Sequence, residues 1–253
     1  DALAQQAGVE EWIALVGEWL AARTAGIDQR TVHAAGSDDR RTTVRGFGNL
    51  IDGYRRFRAN QSSLQREQWR QLSEGQSPRA VIIACCDSRA DPATIFDADP
   101  GDIFVVRNVA NLVPPFDSNG GRDGVSAAIE FGVTQLNTPE IVVMGHEKCG
   151  GISAVLTGRF RDARAGEGGF VDRWMSQIDD SAQAIAQKHG TSPKAHRLLE
   201  EAAIRQSMAN LRTFPFVVEH EQKRSLVVLG CHFSIREGEL WVLEEAEGKF
   251  RPV

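Results

Sequence analysis

Two short aliphatic runs, Ala80 to Ala84 and Ile141 to Met144, carry no polar alternation, and each stops abruptly at polar residues. Continuous Val/Ile-rich runs of this length read as strands covered on both faces, as in a parallel sheet. A third run, Ile103 to Val106, lies between them, and a fourth, Leu226 to Gly230, comes much later. Between these runs the apolar positions switch to helical spacing. Gly124 to Leu136 reads as a crossover helix into the third strand, with further helices from about Phe170 to Lys188 and from Ala195 to Arg212. Asp91-Pro92 opens a short helix through Ile95-Phe96, and Phe214-Pro215 begins another, because proline is tolerated in a first helical turn. Asn108 to Pro115 reads as a loop, and the Gly- and Arg-rich stretch from Gly158 to Gly169 as a mobile one. After Gly238, the run Leu240 to Leu243 returns as the second arm of a hairpin. The expected fold is therefore α/β: a mainly parallel sheet of order 2-1-3-4 with an antiparallel edge strand 5, flanked by helices.

Ahead of this core, Val9, Trp12, Ile13, Val16, Trp19 and Leu20 recur at helical spacing and give an amphipathic helix over about residues 8–23. Residues 26–41 are polar and turn-rich and read as a linker. A second helical tract, from Val44 to about Ser73, carries Phe47, Leu50, Ile51, Tyr54, Phe57 and Trp69. The division expected is an N-terminal helical arm and linker, residues 1–43, and a catalytic domain, residues 44–253.

With 253 residues, 42% of them hydrophobic and 25% charged, the chain can bury one full α/β core. A net charge of −5 provides no electrostatic footprint for nucleic acid or an anionic membrane. No apolar run approaches the roughly 20 residues of a membrane-spanning helix, so no membrane insertion is expected. Four cysteines without a disulfide-like framework point to a reducing compartment, with the cytoplasm as the default; the chain starts at Asp1, which leaves N-terminal processing open.

The chemistry sits where the strands end. Cys85 closes the first strand, and His146 and Cys149 follow the third, three positions apart, a spacing that one helical turn would bring onto one side. In an open α/β sheet of order 2-1-3, strands 1 and 3 are neighbours and their carboxyl ends frame the ligand crevice. Two thiolates and an imidazole favour zinc over magnesium or calcium, and three protein ligands leave a fourth position open, which is the catalytic arrangement. Cys86 follows a ligand, but successive strand residues point to opposite faces, so it reads as buried and inert.

CCDSR at Cys85 to Arg89, GHEKCGG at Gly145 to Gly151 and the intervening PGDIFVVRNVANLVPP at Pro100 to Pro115 resemble the β-class carbonic anhydrases, over roughly Val44 to Val253. The resemblance implies one Zn²⁺ per chain and reversible hydration of CO₂ to bicarbonate and a proton by a zinc-bound hydroxide. Asp87, paired with Arg89, would orient that nucleophile. Gln76, Phe104, Val109 and Phe131 match substrate-pocket positions, some of which reach across a subunit interface in that family, so at least a homodimer is implied. The resemblance also separates two subclasses. In one, the aspartate itself occupies the fourth zinc position; the regulated members carry Trp and Tyr where this chain has Ile82 and Phe233, although Arg107 is kept. Gln76 and those two replacements favour the plant-like, open-site subclass. Departures from the pattern are Phe131 in place of tyrosine, Ala90 in place of valine, and Cys86. Two alternatives stand beside this reading: hydrolysis of carbonyl sulfide or carbon disulfide on the same fold, and a non-catalytic zinc-stabilised scaffold.

Overall fold

A computed structural model describes residues 39–118 and 123–253, with side chains from Phe47 onward, so the helix expected over residues 8–23 lies outside the described residues. The chain divides into two compact units, one ending at Arg70 and one spanning Gln71–Val253. Up to that boundary the helical tract is two helices rather than one, α1 (Asp39–Asn60) and α2 (Ser63–Leu72). The break has a local cause. Ser62 Oγ accepts from Gln65 N at 3.2 Å while Gln65 Oε1 accepts from Ser62 N at 2.9 Å, a reciprocal capping box that starts α2 and so ends α1.

The second unit is built on a six-stranded sheet of order β2-β1-β3-β4-β5-β6. β1 (Ala80–Cys85), β2 (Ile103–Asn108), β3 (Glu140–His146) and β4 (Val227–Ser234) are parallel, and β5 (Glu239–Glu244) pairs antiparallel with β4. The expected order 2-1-3-4 with antiparallel strand 5 is present, and one further strand, β6 (Lys249–Pro252), pairs beyond β5 and takes that edge. The opposite edge is β2.

β1 is buried at all six positions, as a run without alternation requires. On one face Val81, Ile83, Ile141, Val143 and Val228 pack with Ile204, Met208, Leu211 and Val217, from helices α8 (Pro193–Leu211) and α9 (Pro215–Gln222). On the other, Ala80, Ile82, Ala84, Met144 and Cys231 meet Ile95, Phe96, Leu240 and Val242, Ile95 closing the short helix α3 (Pro92–Ile95). Each fully buried large aliphatic side chain contributes about 1.5–3 kcal/mol. Two glycines let α8 approach the sheet: a Cβ on Gly145 would lie 2.8 Å from Ile204 Cδ1, and one on Gly230 would lie 2.6 Å from Met208 Sδ.

The crossover into β3 begins as α4 (Gly124–Glu130), with Asp123 accepting from Val125 N and Ser126 N at its start, and then widens into a π turn over Phe131–Gln135. The widening follows from close packing, since a Cβ on Gly132 would lie 2.5 Å from Val81 Cγ2. Beyond β3 come α5 (Gly150–Thr157), α6 (Gly169–Met175) and α7 (Asp179–His189). Together with α8 they enclose an apolar cluster at the carboxyl end of the sheet, and that cluster contains Cys85 and Cys149. Among the described residues no helix is long and apolar enough to cross a membrane.

Candidate metal centre

β1 and β3 are adjacent, with Ile83 opposite Val143 and Ala84 opposite Met144, so Cys85 comes level with Gly145 and His146 follows one residue further on. The third candidate arrives by a turn rather than by the helical turn its spacing suggested. Lys148 takes a left-handed conformation (φ 56°), which reverses the chain after β3 and places Cys149 as the residue capping α5. Cys85, His146 and Cys149 are all buried, and their potential ligand atoms lie within 4.8 Å of one another.

This donor set fits zinc. Two Zn–S bonds of about 2.3 Å at a tetrahedral angle place the sulfurs about 3.8 Å apart, and Cys85 Sγ and Cys149 Sγ are separated by 3.9 Å. His146 Nδ1 lies 2.9 Å from the Glu147 carbonyl, which accepts a hydrogen only if Nδ1 carries it. That leaves Nε2 as a bare lone pair, buried beside the Cys85 sulfur and, among the described residues, without a partner at hydrogen-bond geometry. Such an orphan is costly unless a Lewis acid takes it up.

The two sulfurs are driven in opposite directions by each other. The neighbouring Cys149 thiol draws Cys85 down to about 4, helped by His146 and by the Ala110 and Asp87 amides and opposed by burial. The Cys85 charge and burial push Cys149 up, against the opposing pull of the Ile152 and Gly151 amides at the start of α5. A divalent metal bound by both sulfurs displaces whatever thiol proton remains, because the ligand is the thiolate. Burial opposes a charge on His146, but the Cys85 sulfur beside it outweighs that and raises its value. The Ala110 amide reaches Cys85 Sγ at 3.4 Å because Ala110 and Asn111 are both left-handed, at φ 64° and 51°.

Immediately outside stands Asp87. Arg89 grips both of its oxygens, Nε to Oδ1 at 3.0 Å and Nη2 to Oδ2 at 2.7 Å, and the Arg89 amide adds a third bond to Oδ1 at 2.9 Å. This fork holds the Asp87 carboxyl well below the usual carboxylate range. Oδ2 lies 4.0 Å from His146 Nε2. Arg107 braces the loop from beneath, donating to the carbonyls of Cys85 at 3.0 Å and Asp87 at 2.7 Å and to Asp91 Oδ1 at 2.9 Å. Cys86, read from the sequence as buried, is exposed, because β1 ends at Cys85 and the residue after it is no longer covered by the sheet.

The four substrate-pocket candidates fall into two groups. Val109 directly follows β2 and packs, half-buried, against the cluster that contains both cysteines. The other three sit toward the amino end of the sheet. Phe104 pairs with Val81, four residues before Cys85 and so about 13 Å away along β1. Phe131 stacks on Phe104 at 5.9 Å and is 47% exposed, and Gln76 is exposed in the segment entering β1. One chain therefore does not bring them to its own metal centre.

Two further polar residues, absent from the sequence-based set, stand behind the site. Glu200 in α8 and His232 in β4 are both buried, and Glu200 Oε1 accepts from the Cys149 amide at 3.4 Å. Their signal was a histidine inside the apolar run Leu226 to Ser234 and a glutamate on the buried face of a helix that also carries Ser207 and Asn210. A cavity of about 650 Å³ opens beside them, lined in part by Glu147, Lys148, Arg197 and Arg236 and not by Asp87 or Arg89.

Comparison with known proteins places this arrangement. A family model described as carbonic anhydrase matches residues 80–240. Beta carbonic anhydrase 3 of Arabidopsis thaliana is 32% identical over 199 residues, covering 77% of this chain and 76% of that protein. Among solved structures, the β-carbonic anhydrase CcaA superposes with a TM-score of 0.75 at 27% identity, covering 83% of this chain and 92% of that one. One of two tetrameric β-carbonic anhydrases from Sordaria macrospora superposes with a TM-score of 0.67 at 27% identity, covering 79% and 98%.

Proposed function

Since the chain belongs to the β-class carbonic anhydrases and catalyses zinc-dependent, reversible hydration of CO₂ to bicarbonate, we propose that Cys85, His146 and Cys149 hold the metal, that Asp87 and Arg89 orient the nucleophile, and that a second copy of the chain completes the substrate pocket. The observation that carries the assignment is the bare, buried Nε2 of His146 between two thiols, with the Asp87–Arg89 fork directly outside. The alternatives, hydrolysis of carbonyl sulfide or carbon disulfide and a non-catalytic scaffold, are not favoured by these findings.

When bound, zinc supplies a Lewis acid that makes a water nucleophilic near neutral pH. Asp87, kept ionised by Arg89, can only accept hydrogen bonds. It would therefore accept a hydrogen bond from the attacking oxygen and so turn that oxygen's lone pair toward carbon. The same fork supports the open-site subclass, because both carboxylate oxygens are engaged by Arg89 instead of being free to serve as a fourth ligand. CO₂ has no charge and no donor, so an apolar wall suits it. Val109 provides one side.

The other side comes from symmetry. Among the described residues β2 is an unpaired sheet edge, with Val105 exposed, and such an edge is a template for pairing. Two copies related by a two-fold axis would run their β2 edges antiparallel. The amino end of one, carrying Phe104, Phe131 and Gln76, would then lie beside the carboxyl end of the other, carrying Val109 and the metal loop. That a neighbour of known structure from Sordaria macrospora is described as tetrameric is in keeping with this. The cytoplasm is the compartment proposed, since all four cysteines are free and two are needed as thiolates.

The test is stopped-flow CO₂ hydration with metal analysis on the same samples. The wild type is expected to hold one zinc per chain and Cys149→Ser to lose both metal and rate. Full zinc retention in each of the three single ligand variants would refute the assignment.

A further inference from the structure

The buried pair behind Cys149 belongs to a longer chain of hydrogen bonds. Arg197 Nη1 lies 2.8 Å from His232 Nδ1, His232 Nε2 lies 2.9 Å from Glu200 Oε2, and Glu200 Oε1 accepts from the Cys149 amide. Its direction is fixed by chemistry. A guanidinium has no acceptor, so His232 Nδ1 must accept from Arg197, and the ring hydrogen on Nε2 is donated to Glu200. Every member then has one role: Arg197 sets the tautomer of His232, His232 anchors one oxygen of Glu200, and the other oxygen is left aimed at the backbone of a metal-holding residue. Arg197 is itself held, with Nε 2.7 Å from Glu201 Oε1 and its guanidinium 5.3 Å from the centre of the Trp241 ring.

Nothing in the packing requires these groups. His232 and Glu200 are fully or almost fully buried, in a strand and a helix whose neighbouring positions are filled by Leu199, Ala203 and Cys231. A carboxyl group and an imidazole are expensive to desolvate, and an apolar pair of similar volume is often as stable or more so. What the polar pair provides and an apolar one cannot is an acceptor for the Cys149 amide, where the left-handed Lys148 turn has just delivered that residue to α5.

We propose that Arg197, His232 and Glu200 form a positioning relay that fixes the Cys149 backbone, and with it the Sγ–Sγ spacing, so that zinc affinity is set partly from the rim of the adjoining cavity, where Arg197 lies. The relay acts through Cys149 and touches neither substrate nor the reacting atoms. It rests on the assignment of Cys149 as a zinc ligand. Groups that orient metal ligands typically alter metal affinity or activity by 10- to 100-fold when removed.

The test uses the full-length protein, with zinc affinity measured by competition against a chromophoric chelator, the cobalt-substituted protein's thiolate-to-metal absorption, and the melting midpoint of the metal-free protein. Glu200→Gln, whose amide has one acceptor oxygen where the carboxylate has two, is expected to weaken zinc binding roughly tenfold or more and to shift the cobalt–thiolate band, with the metal-free midpoint little changed. Arg197→Met, a half-exposed site and so the variant safer for folding, is expected to weaken zinc binding severalfold. The double variant is expected to be no weaker than Glu200→Gln alone, because members of one relay are not additive. Unchanged zinc affinity in both single variants, or strictly additive losses in the double, would overturn the relay. Cys149→Ser separates the two assignments: if it retains zinc, the ligand assignment fails, whereas if it loses zinc while the relay variants do not, only the relay fails.

Discussion

Gly145 lies one residue before His146 and directly beneath Ile204, so adding a single methyl group tests whether sheet packing positions the metal centre. In Gly145→Ala the new Cβ would stand 2.8 Å from Ile204 Cδ1 and 2.9 Å from Cγ1. Comfortable carbon–carbon contact is about 3.5–4.0 Å, so α8 must lift, or β3 sink, by roughly 0.6–1 Å. Ile204 is fully buried and cannot swing into solvent. Overpacking of this kind costs about 1–3 kcal/mol, and at about 2–4 °C per kcal/mol for a domain of this size the melting midpoint is expected to fall by roughly 2–12 °C. Calorimetry on the metal-free and zinc-loaded protein reads the loss, and a chelator titration reads whether His146 has moved with it. Ile204→Val removes Cδ1 and by itself costs about 0.5–1.5 kcal/mol. Combined with Gly145→Ala it is expected to recover part of the loss, making the double variant more stable than the two singles summed. An unchanged midpoint in Gly145→Ala, or strict additivity in the double, would show that Ile204 is not what Gly145 accommodates.

Asp87→Asn keeps the size of the side chain but presents hydrogens where only lone pairs were; kcat for CO₂ hydration is expected to fall by about 10²-fold, the scale of a misoriented reacting group, with zinc content unchanged, and a rate near wild type would remove Asp87 from the mechanism. Phe131→Arg places a charge in the Phe104 stack at the exposed end of the sheet; light scattering is expected to show a smaller assembly, and the rate to fall although zinc is retained, whereas an unaltered mass would refute the β2-edge interface. Burial pushes the Cys231 thiol up to about 12 from an ordinary 9.0. The folded state therefore keeps a proton that the unfolded chain releases above pH 9, so stability from this group is fully present below pH 9 and lost as pH rises toward 12, at about 1.4 kcal/mol per pH unit. Denaturant titrations from pH 9 to 11 are expected to slope less steeply in Cys231→Ala than in the wild type, and parallel slopes would contradict the burial effect.

β1, β3 and β4 were legible because a strand covered on both faces is mostly apolar, which leaves a run such as Val81 to Ala84; β2 shows the same aliphatic run, Ile103 to Val106, although only Val106 is buried. The candidate ligand set was proposed for a related reason: Cys85 and His146 end such runs at their carboxyl ends, with Cys149 in the turn just beyond, where an open sheet gathers its chemistry. β6 was not, since Lys249 to Pro252 is four residues of edge strand ending in proline, too short to show a period. The left-handed Lys148 was also hidden, because lysine carries no preference for that conformation and only the need to turn Cys149 back toward Cys85 imposes it. Glu200 and His232 are 32 residues apart and meet only because α8 packs across β4; neither residue's neighbours announce the other. The exposure of Cys86 depends on where β1 stops, which alternation along the strand does not determine.

The π turn at Phe131–Gln135 contains one residue more than an α turn, closed by the Leu136 amide on the Phe131 carbonyl at 3.0 Å. Such a bulge is what a helix does with a single inserted amino acid. Because each helical residue advances about 100° around the axis, the presence or absence of that one residue decides whether the Phe131 ring meets Phe104 or faces elsewhere. Gaining or losing one codon here would therefore re-aim this aromatic pair, with no substitution near Cys85, His146 or Cys149 and no change in the strands that carry them.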